Sequence, residues 1–332
     1  MKKFIAVDGG GNKTLCILGD ESGKILGQKM VGGTNHQISG IDVASTVLCD
    51  AIDEVLNNAG VSNSEIANVV IGLAGMDFDS DIALMTAHLK GRLAQLSPLL
   101  LNDIWIALVA GGIESYGAVS VCGTGHNTGV LAKDGTRYGI SALRFSLGNF
   151  GGGNQLAEHA LHKAFRSYEK TGEYTALEEH LPKLCNAGSM KELLFKIYES
   201  NYTYHLSFGI PHLVDNLAAA GDTVCCNLLK TFGATQGEMT GRLIQQAGLV
   251  TEPIPVVMAG SIYTKRETEY ITDSFEHALK NYCEKPILQT LSREPVLGAG
   301  MLALHKLHPN LDIKTAKSLM AEMEESLCNL QK

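Results

Sequence analysis

Runs of hydrophobic residues divide the first part of the chain into short strands and amphipathic helices. FIAV at 4–7, LCILG at 15–19 and KILGQKMV at 24–31 are apolar runs separated by tight turns, which predicts three antiparallel strands. Residues 42–59 carry apolar side chains at helical spacing and stop before Gly60, a residue typical of a helix C-terminus. The pattern then predicts a buried strand at 69–75, a helix at 80–93 and a strand at 99–103 that runs into another helix.

The opening pattern of strand, glycine turn and strand returns later in the chain. VDGGGNKTLCILGD at 7–20 aligns without a gap with VCGTGHNTGVLAKD at 121–134, at a constant offset of 114 residues. The identical pairs are Val7 and Val121, Gly9 and Gly123, Gly11 and Gly125, Thr14 and Thr128, and Asp20 and Asp134. Such self-similarity is typical of a duplicated unit and predicts two lobes of related topology, each with a glycine hairpin. The alternative is a chance similarity between two glycine-rich hairpins.

The second half of the chain is predicted to be rich in helices. Apolar residues recur at helical spacing in 154–168, 189–200, 210–220, 222–247, 295–304 and 314–328. A buried strand, PVVMAGS at 255–261, ends in a glycine turn. No low-complexity linker separates the two halves, so we expect the lobes to share a short hinge.

The composition argues against several classes of function. The 332-residue chain is 45% hydrophobic and carries 27 Lys and Arg against 35 Asp and Glu, a net charge of −8. A nucleic-acid partner requires a clustered basic surface instead. The apolar window 99–113 is interrupted by Asn102 and Asp103 and is too short to span a bilayer. Because the N-terminal apolar run is too short for a signal peptide, we expect a cytoplasmic protein without a membrane or nucleic-acid partner.

The eight cysteines are scattered along the chain and form no C-x-x-C pair. This pattern predicts reduced core thiols in a cytoplasmic protein. The eleven histidines form no metal-binding cluster with the cysteines. His159 and His162 share one helical face, but no further ligand lies at useful spacing, so the sequence predicts no zinc site.

The two glycine hairpins have the residue types of a phosphate-binding site. Asp8 ends a buried strand, where a carboxylate can hold Mg²⁺ through water, and glycines let backbone N–H groups approach phosphate oxygens. The candidate phosphate-binding residues are Gly9, Gly10, Gly11, Asn12, Lys13 and Thr14 in the first hairpin, and Gly123, Thr124 and Gly125 in the second. Thr14 is expected to add its hydroxyl as a donor. The alternative for the first hairpin is an ordinary glycine turn with a solvated Asp, because glycine runs alone are weak motifs.

Two common nucleotide motifs are absent from the sequence. The chain has no G-x-x-x-x-G-K-[ST] P-loop. A dinucleotide fold needs G-x-G-x-x-G opening a helix, whereas the first glycines here lead into a strand. A third glycine run, LGNFGGGNQLA at 147–157, does precede a helical pattern and could bind phosphate. The two repeated hairpins fit that role better.

Asp103 follows the apolar strand LLLN, at the end of the strand where ligands bind in α/β folds. Phosphoryl transfer to an alcohol requires a positioned carboxylate that accepts the hydroxyl proton. The alternative role is an N-cap for the helix at 104–110. The two roles are compatible, so Asp103 is the candidate general base.

Six motifs occur in the order found in N-acetylglucosamine kinases. They are DGGGNKT, GTNHQ at 33–37, GLAG at 72–75, the Asn102-Asp103 pair, CGTGHNTG, and AGS at 259–261. Over nearly its whole length the chain resembles the BadF/BadG/BcrA/BcrD ATPase-like family, within the superfamily of actin, hexokinase and the heat-shock ATPases. The resemblance implies an α/β fold of two actin-like (ribonuclease H-like) lobes, with mixed sheets flanked by helices, that close on ATP and a sugar. It implies an N-terminal lobe of residues 1–115 plus 309–332 and a C-terminal lobe of residues 116–308.

The resemblance also implies roles for individual residues. Asp103 matches the catalytic base for the sugar hydroxyl, and Asp8 and Asp103 match positions near Mg²⁺. The positions that match sugar contacts are Asn35, Thr124, Asn127 and Asn149, and Gly260 and Ser261 fall where the adenosine moiety is held. His36 follows Asn35 as in relatives, and both a packed structural histidine and a sugar ligand fit that position. The implied ligands are ATP, Mg²⁺ and a sugar, and a homodimer is common in the family.

Two groups of relatives can be set aside because of their cysteines. The ROK sugar kinases carry a Cys-rich zinc motif that is absent here. The dehydratase activators of the wider family hold an iron–sulfur cluster between subunits. Cys122 lies in an apolar run, and no second cysteine has suitable spacing, so we predict that Cys122 is a core residue.

The chain departs from the family at one motif. Sugar kinases of this type show Leu-Gly-Asp-Glu-Gly-Ser, whereas this chain has LGNFGG at 147–152. Asn149 keeps an acceptor oxygen but loses the charge of the family's Asp, and Phe150 replaces the Glu. Loss of a charge-assisted hydrogen bond costs roughly tenfold or more in affinity for an ordinary hexosamine. Arg144 either favours an anionic sugar or points to solvent.

Together these features predict an ATP- and Mg²⁺-dependent kinase of N-acetylglucosamine or a related amino sugar, with Asp103 as general base. The alternative from another class is a nucleotide-binding regulator or activator whose sugar site is altered or lost. Neither the sugar, nor the phosphorylated hydroxyl, nor the oligomeric state follows from the sequence.

Overall fold

The computed structural model divides the chain into two compact units. It describes residues 1–93, 95–113, 115–200 and 209–331. One unit comprises Met1–Glu114 and Leu291–Lys332, and the other comprises Ser115–Thr290. Each unit contains one five-stranded mixed sheet with helices packed on it, which confirms the predicted α/β class.

Both units contain strands and helices. The strands are β1 (Lys3–Gly9), β2 (Lys13–Asp20), β3 (Ile25–Gly32), β4 (Ile66–Leu73), β5 (Leu99–Asn102), β6 (Gly117–Cys122), β7 (His126–Leu131), β8 (Arg137–Gly139), β9 (Pro253–Ala259) and β10 (Lys285–Thr290). The helices are α1 (His36–Ser39), α2 (Ile41–Ala59), α3 (Asp79–Leu93), α4 (Asp103–Ala110), α5 (Gly153–Tyr168), α6 (Leu177–Leu184), α7 (Met190–Ser200), α8 (Ile210–Ala219), α9 (Thr223–Gln246), α10 (Ser261–Thr264), α11 (Tyr270–Leu279), α12 (Val296–Leu307) and α13 (Ile313–Leu330).

The sheet of the first unit is buried on both faces. Its strand order is β3-β2-β1-β4-β5, with β1 to β3 antiparallel and β4 and β5 parallel to β1. Side chains of a strand alternate between the two faces, so Ile5 and Val7 pack with α2 and α3. Phe4 and Ala6 pack on the other face with α4, α12 and α13. The continuous apolar runs of β1 and β2 follow from this two-sided burial.

The sheet of the second unit repeats this topology. Its strand order is β10-β9-β6-β7-β8, with β6 to β8 antiparallel and β9 and β10 parallel to β6. Each strand of the second sheet thus has a counterpart in the first, β6 for β1 and β9 for β4. The shared order supports the duplication that the sequence repeat predicts.

The two hairpins nevertheless differ in pairing register. Val7 pairs with Cys16, nine residues further along, whereas its counterpart Val121 pairs with Asn127, six residues further along. The paired positions are therefore three residues closer along the chain in the second hairpin. The gap-free alignment of the repeat is wrong in this respect, because no single offset matches both strands of the hairpin.

The helices of the second unit pack with very close backbone contacts. A Cβ added at Gly233 would lie 2.1 Å from the carbonyl oxygen of Ile271, and one at Gly237 would lie 2.2 Å from that of Phe275. No side chain fits in either space, so α9 requires glycine at both positions to lie against α11.

Residues 291–308 belong to the first unit, whereas the sequence placed them in the second lobe. In the structure, α12 packs on α4 and on strands β1 and β4. Leu297 and Met301 of α12 complete the core around Phe4 and Ala6. The second boundary is corrected accordingly to residues 290 and 291.

Most predicted elements are present, and six of those given above were missed. The predicted helix at 42–59 is α2, which ends at Gly60 in the left-handed conformation with φ 65°. The missed elements are α1, α6, α10, α11, β8 and β10. β8 has only three residues, and β10 is a half-exposed edge strand that contains a proline, so neither shows an apolar alternation. Within the described residues, no helix has the length and apolarity needed to cross a membrane.

The cysteines of the structure are free thiols. Six of the eight are buried, Cys226 is partly buried and Cys328 is exposed. Cys122 is fully buried in the core of the second unit, in agreement with its predicted core role.

Candidate active site

Two carboxylates at strand ends of the first sheet are held in a poorly solvated environment. Asp8 lies near the end of β1, and Asp103 directly follows β5. Burial, and then the charge of Glu294, raise the pKa of Asp8 to about 7, while Lys13 opposes the shift. Burial, and then the charges of Asp8 and Asp77, raise the pKa of Asp103 to about 7. The structure thus brings the predicted base and the predicted magnesium ligand into electrostatic contact, and both can exchange a proton near neutral pH.

The helix that carries Asp103 is capped by the preceding residue. The side chain of Asn102 accepts a hydrogen bond from Ile104 N at 3.1 Å and acts as N-cap of α4. Asp103 is therefore the first helical residue and not the cap. This corrects the alternative role considered for Asp103.

Asp77 anchors this turn and was not singled out in the sequence. Its carboxylate accepts from Asn102 Nδ2 at 2.8 Å and from Gln37 Nε2 at 3.0 Å. Burial raises the pKa of Asp77, while the hydrogen bond from Gln37 lowers it. One carboxylate thus connects the segment that contains Asn35 with the turn that contains Asp103.

Asn35 and His36 are held in place by the protein itself. Asn35 Oδ1 caps the short helix α1 by accepting from Gln37 N at 2.9 Å. Gly75, at φ +84°, leaves room for Asn35, since an added Cβ would lie 2.5 Å from its Oδ1. His36 Nε2 lies 3.4 Å from Asp81, and the side chain is 9% exposed. These contacts favour the packed structural role for His36.

The first hairpin is closed by backbone hydrogen bonds and by a buried threonine pair. Gly10 N donates to Lys13 O at 2.9 Å, and Asn12 and Lys13 are exposed. Thr14 is fully buried, and its hydroxyl lies 2.8 Å from that of Thr34. Its side chain therefore secures the base of the hairpin and does not present a donor at the surface, contrary to expectation.

The second hairpin has an open turn. A Cβ added at Gly123 or Gly125 would meet no atom within 4 Å. Thr124 and Asn127 are partly buried beside these glycines. Backbone N–H groups in an open glycine turn can approach phosphate oxygens, so the geometry allows the predicted role.

The glycine run at 151–153 is held against this hairpin by backbone hydrogen bonds. Gly153 N donates to Gly123 O at 2.7 Å, and Asn154 N donates to Thr124 O at 3.1 Å. Gly152, at φ +86°, approaches so closely that an added Cβ would lie 2.5 Å from Gly125 Cα. Because hairpin carbonyls already accept from the first N–H groups of α5, this run is not a free phosphate loop.

Gly260 and Ser261 form the turn from β9 into α10. Gly260 has φ +94°, and an added Cβ would lie 2.4 Å from Cys122 O at the end of β6. Ser261 is exposed. The turn is therefore anchored directly against the strand that leads into the second hairpin, within the same unit.

The departure at 149–150 changes both packing and polarity. Asn149 Nδ2 donates to His126 O at 3.0 Å. Phe150 packs on His159 and Phe232, with ring centroids 5.8 and 4.6 Å apart. Its ring thus extends the core and leaves no polar group where the family has Glu. Arg144 is exposed and makes no side-chain hydrogen bond or ion pair with any residue the structure describes.

Acidification is expected to destabilise the second unit through His126. Burial lowers the pKa of His126 from 6.5 to about 4, so between these values the unfolded chain binds a proton that the folded protein does not. The stability that this histidine contributes is complete above about pH 6.5 and is lost as the pH falls. When the pH is lowered from 8 to 5, the free energy of unfolding of wild type should fall by about 2 kcal/mol more than that of His126→Gln. Scanning calorimetry at both pH values measures the difference, and parallel losses would contradict it.

Asp8 and Asp103 have the chemistry of magnesium ligands. Mg²⁺ prefers carboxylate oxygens and keeps several waters, so it needs only one or two protein ligands. Among the described residues, no group of three or more His, Cys, Asp or Glu is arranged to hold a metal ion. The residues present therefore fit a Mg²⁺ whose remaining ligands are water and phosphate oxygens.

Comparison with known proteins assigns the chain to a family. The BadF/BadG/BcrA/BcrD ATPase family matches residues 5–303. The chain belongs to this family. The match includes both glycine hairpins, Asp103 and the Gly260 turn, so the family resemblance found in the motifs is confirmed over both units.

Curated relatives of this BadF/BadG/BcrA/BcrD ATPase family member are sugar kinases. An N-acetylmuramic acid/N-acetylglucosamine kinase of Clostridium acetobutylicum is 26% identical over 304 residues, 91% of this chain and 98% of that protein. An N-acetyl-D-glucosamine kinase of Dictyostelium discoideum is 24% identical, again over 91% of this chain and 98% of its own length.

Solved structures share the fold. A Chromobacterium violaceum protein provisionally assigned as an N-acetylglucosamine kinase superposes with a TM-score of 0.69 at 18% identity, over 92% of this chain and 99% of that chain. A ROK family glucokinase of Streptomyces griseus superposes with a TM-score of 0.58 at 18% identity, over 92% and 98%. The ROK kinases, set aside for their zinc motif, thus share this architecture.

Proposed function

We propose that this protein is an ATP- and Mg²⁺-dependent kinase that phosphorylates a hydroxyl group of N-acetylglucosamine or a related amino sugar. The observation that carries the proposal is the carboxylate of Asp103, placed at the start of α4 with a pKa near 7. A base of this strength can accept a proton from a sugar hydroxyl at neutral pH and release it afterwards. The full-length similarity to two curated amino-sugar kinases supports the substrate class.

The proposed reaction uses Asp103 as general base. The sugar hydroxyl gives its proton to the Asp103 carboxylate as its oxygen bonds to the γ-phosphorus of ATP. The bond between that phosphorus and the bridging oxygen breaks, and ADP leaves. The open backbone of Gly123–Gly125 and the first hairpin would donate hydrogen bonds to phosphate oxygens. The turn at Gly260 and Ser261 would hold the adenosine moiety.

The residues Asp8 and Asp103 would hold Mg²⁺ in this proposal. When bound, the ion neutralises negative charge on the phosphate oxygens. Asp77 and Asn102 contribute indirectly, because their hydrogen bonds fix the turn from which Asp103 projects. Asn35, Thr124, Asn127 and Asn149 are the proposed sugar contacts, and a cytoplasmic location and a homodimer stay predictions.

A nucleotide-binding regulator with a lost sugar site is the second candidate. Asn149 and Phe150 favour it, because they remove two carboxylates that the family's sugar kinases carry. The proposed base and hairpins, however, are retained.

A panel of sugars in an ADP-release assay separates the two functions. The kinase is expected to release ADP at a rate that depends on the concentration of an amino sugar, and the panel should include N-acetylglucosamine, N-acetylmuramic acid, glucosamine and glucose. ATP binding is measured in parallel by calorimetry. ATP binding without stimulation by any sugar would favour the regulator.

A further inference from the structure

Five buried side chains beneath the second hairpin form one hydrogen-bonded network. His126 Nε2 lies 3.0 Å from Ser120 Oγ, and Ser120 Oγ lies 2.9 Å from the hydroxyl of Tyr263. The Tyr263 hydroxyl donates to Gln236 Oε1 at 2.5 Å, and Gln236 Nε2 donates to Cys122 Sγ at 3.3 Å. All five side chains are at most 3% exposed. Because water does not reach them, their hydrogen bonds have to be made within the protein.

The protons of this network have one arrangement. Tyr263 has a single hydroxyl proton and uses it on Gln236, so its oxygen accepts from Ser120. Ser120 then has no proton left for the imidazole, and its oxygen accepts from His126 Nε2. Burial keeps both ends of this row uncharged at neutral pH, because it lowers the pKa of His126 to about 4 and raises the pKa of Tyr263 well above its usual value. The Tyr263 hydroxyl is thus both a donor and an acceptor.

The network joins the two elements of the second unit to which the proposed function assigns ATP. Tyr263 is the third residue of α10, directly after the turn at 260–261 that would hold adenosine, here called the adenosine turn. Ser120 and His126 lie on β6 and β7, on either side of the phosphate turn Gly123–Gly125. The Tyr263 hydroxyl therefore connects the adenosine turn to both strands of the second hairpin, to β6 directly and to β7 through Ser120.

Gln236 attaches the network to a firmly packed helix. It lies on α9, between Gly233 and Gly237, where the backbone of α9 packs directly on α11. A Cβ added at Gly151 would lie 2.4 Å from Gln236 Nε2, so the glycine run rests on the same amide. A shift of α10 relative to the second hairpin would break buried hydrogen bonds that no water is there to replace, which is unfavourable.

We propose that the Tyr263 hydroxyl is a positioning group for ATP, which holds the adenosine turn at a fixed distance from the second phosphate hairpin so that one nucleotide contacts both. The inference rests on the proposed kinase function and deepens it, because it assigns part of the nucleotide affinity to a fully buried side chain. Adenosine and triphosphate are covalently linked, so a displaced turn weakens ATP binding even when each half still fits its own site. A ligand that occupies only one of the two sites is insensitive to that distance.

Tyr263→Phe removes the hydroxyl and keeps the aromatic ring in the core. Calorimetry measures Kd for ATP and for inorganic triphosphate, both with Mg²⁺, and triphosphate serves as the probe of the hairpins alone. We expect Kd for ATP to rise about five- to tenfold, while Kd for triphosphate and KM for the sugar stay within about twofold. An unchanged Kd for ATP in the folded variant would overturn the proposal. An equal rise for both ligands would place the defect in the hairpin itself and would also overturn it.

Ser120→Ala breaks the same link at its other end. This variant keeps the hydrogen bond from Tyr263 to Gln236 but loses the one that leads to the hairpin. Kd for ATP should again rise about five- to tenfold. Because either substitution already breaks the link, the double variant should bind ATP about as weakly as the weaker single variant. Effects that multiply in the double variant would show that the two hydroxyls act independently, and would overturn the link.

Thr240→Val is the matched control for a loss of stability alone. Thr240 is fully buried on α9, and its hydroxyl lies 2.9 Å from that of Thr128 in β7. The substitution removes a buried hydroxyl from the same unit without a change at α10. Scanning calorimetry should show a loss of stability similar to that of Tyr263→Phe, with Kd for ATP within about twofold of wild type. A rise in Kd as large as that of Tyr263→Phe would mean general loosening of the unit and would overturn the positioning role.

The wild-type measurements separate this inference from the proposed function. ATP binding that depends on Tyr263 but is not followed by transfer to any sugar would overturn the kinase function and leave the positioning role intact. A wild-type protein that binds no ATP would overturn both.

Discussion

Replacing Asp103 by Asn is expected to lower phosphate transfer by about 10²- to 10⁴-fold, the usual contribution of a general base. An amide has nearly the shape of the carboxylate but cannot accept the hydroxyl proton. Nucleotide binding should be largely retained, because the hairpin backbones are unchanged. ADP release with saturating sugar, together with ATP calorimetry, measures both properties. Turnover close to wild type would contradict the assignment of Asp103 as base.

The same substitution should make the protein more stable. The pKa of Asp103 is raised to about 7 in the folded state, so its carboxyl group contributes stability at low pH that is lost as the pH rises from about 4 to 7. At pH 8 in metal-free buffer, the free energy of unfolding of Asp103→Asn should therefore be about 2 kcal/mol higher than that of wild type. At pH 4 the two free energies should be equal. Asp79→Asn is the control, since Asp79 is exposed on α3 and should change neither activity nor stability. An Asp103 variant that is less stable than wild type at pH 8 would contradict the raised pKa of Asp103.

Gly298→Ala is expected to disrupt the first unit. An added Cβ would lie 1.9 Å from Ile106 O and 2.7 Å from Ala110 N, so α12 cannot keep its place against α4. Overpacking against backbone should lower the free energy of unfolding by about 3 kcal/mol. Because Asp103 is the first residue of α4, movement of that helix should also lower phosphate transfer.

Gly91→Ala is the matched control, and its expected effect on stability is opposite to that of Gly298→Ala. Gly91 lies inside α3, and an added Cβ meets nothing within 4 Å. Alanine there should raise stability by about 0.5–1 kcal/mol, because it restricts the unfolded chain and favours the helix. The single tryptophan of the chain, Trp105, lies in α4, so its fluorescence in urea follows the first unit in both variants. Similar effects of the two substitutions would contradict the close-packing argument.

The elements that the sequence predicted best are those with two-sided burial or a full helical stripe. β1 and β2 carry unbroken apolar runs because helices cover both faces of their sheet, and α2 has a clear apolar stripe and a glycine stop. β10 was missed because it lies at an edge and is half-exposed. The lobe boundary was misplaced because α12 looks like any small-residue helix, and only its tertiary contacts show which sheet it covers.

The sequence predicted those parts of the candidate site whose functional side chains lie within a recognisable motif. Asp8 and Asp103 end apolar strands, and the structure places them within electrostatic reach of each other. The role of the Thr14 hydroxyl could not be predicted from the motif, because the direction of this side chain depends on strand register and on Thr34. Asp77 and His126 depend entirely on long-range partners, so their spacing in the sequence carries no signal for their roles.

The position of α12 and α13 has a consequence for biosynthesis. The second unit, Ser115–Thr290, is one continuous stretch, so a ribosome has made all of it before the first unit is complete. Until residues 291–331 emerge, the sheet that carries Asp8 lacks two of the helices that cover one of its faces, and Phe4 and Ala6 remain without their partners. The first unit to be started is thus the last to be finished, and nascent chains that stop before residue 296 would expose an apolar sheet face that chaperones bind.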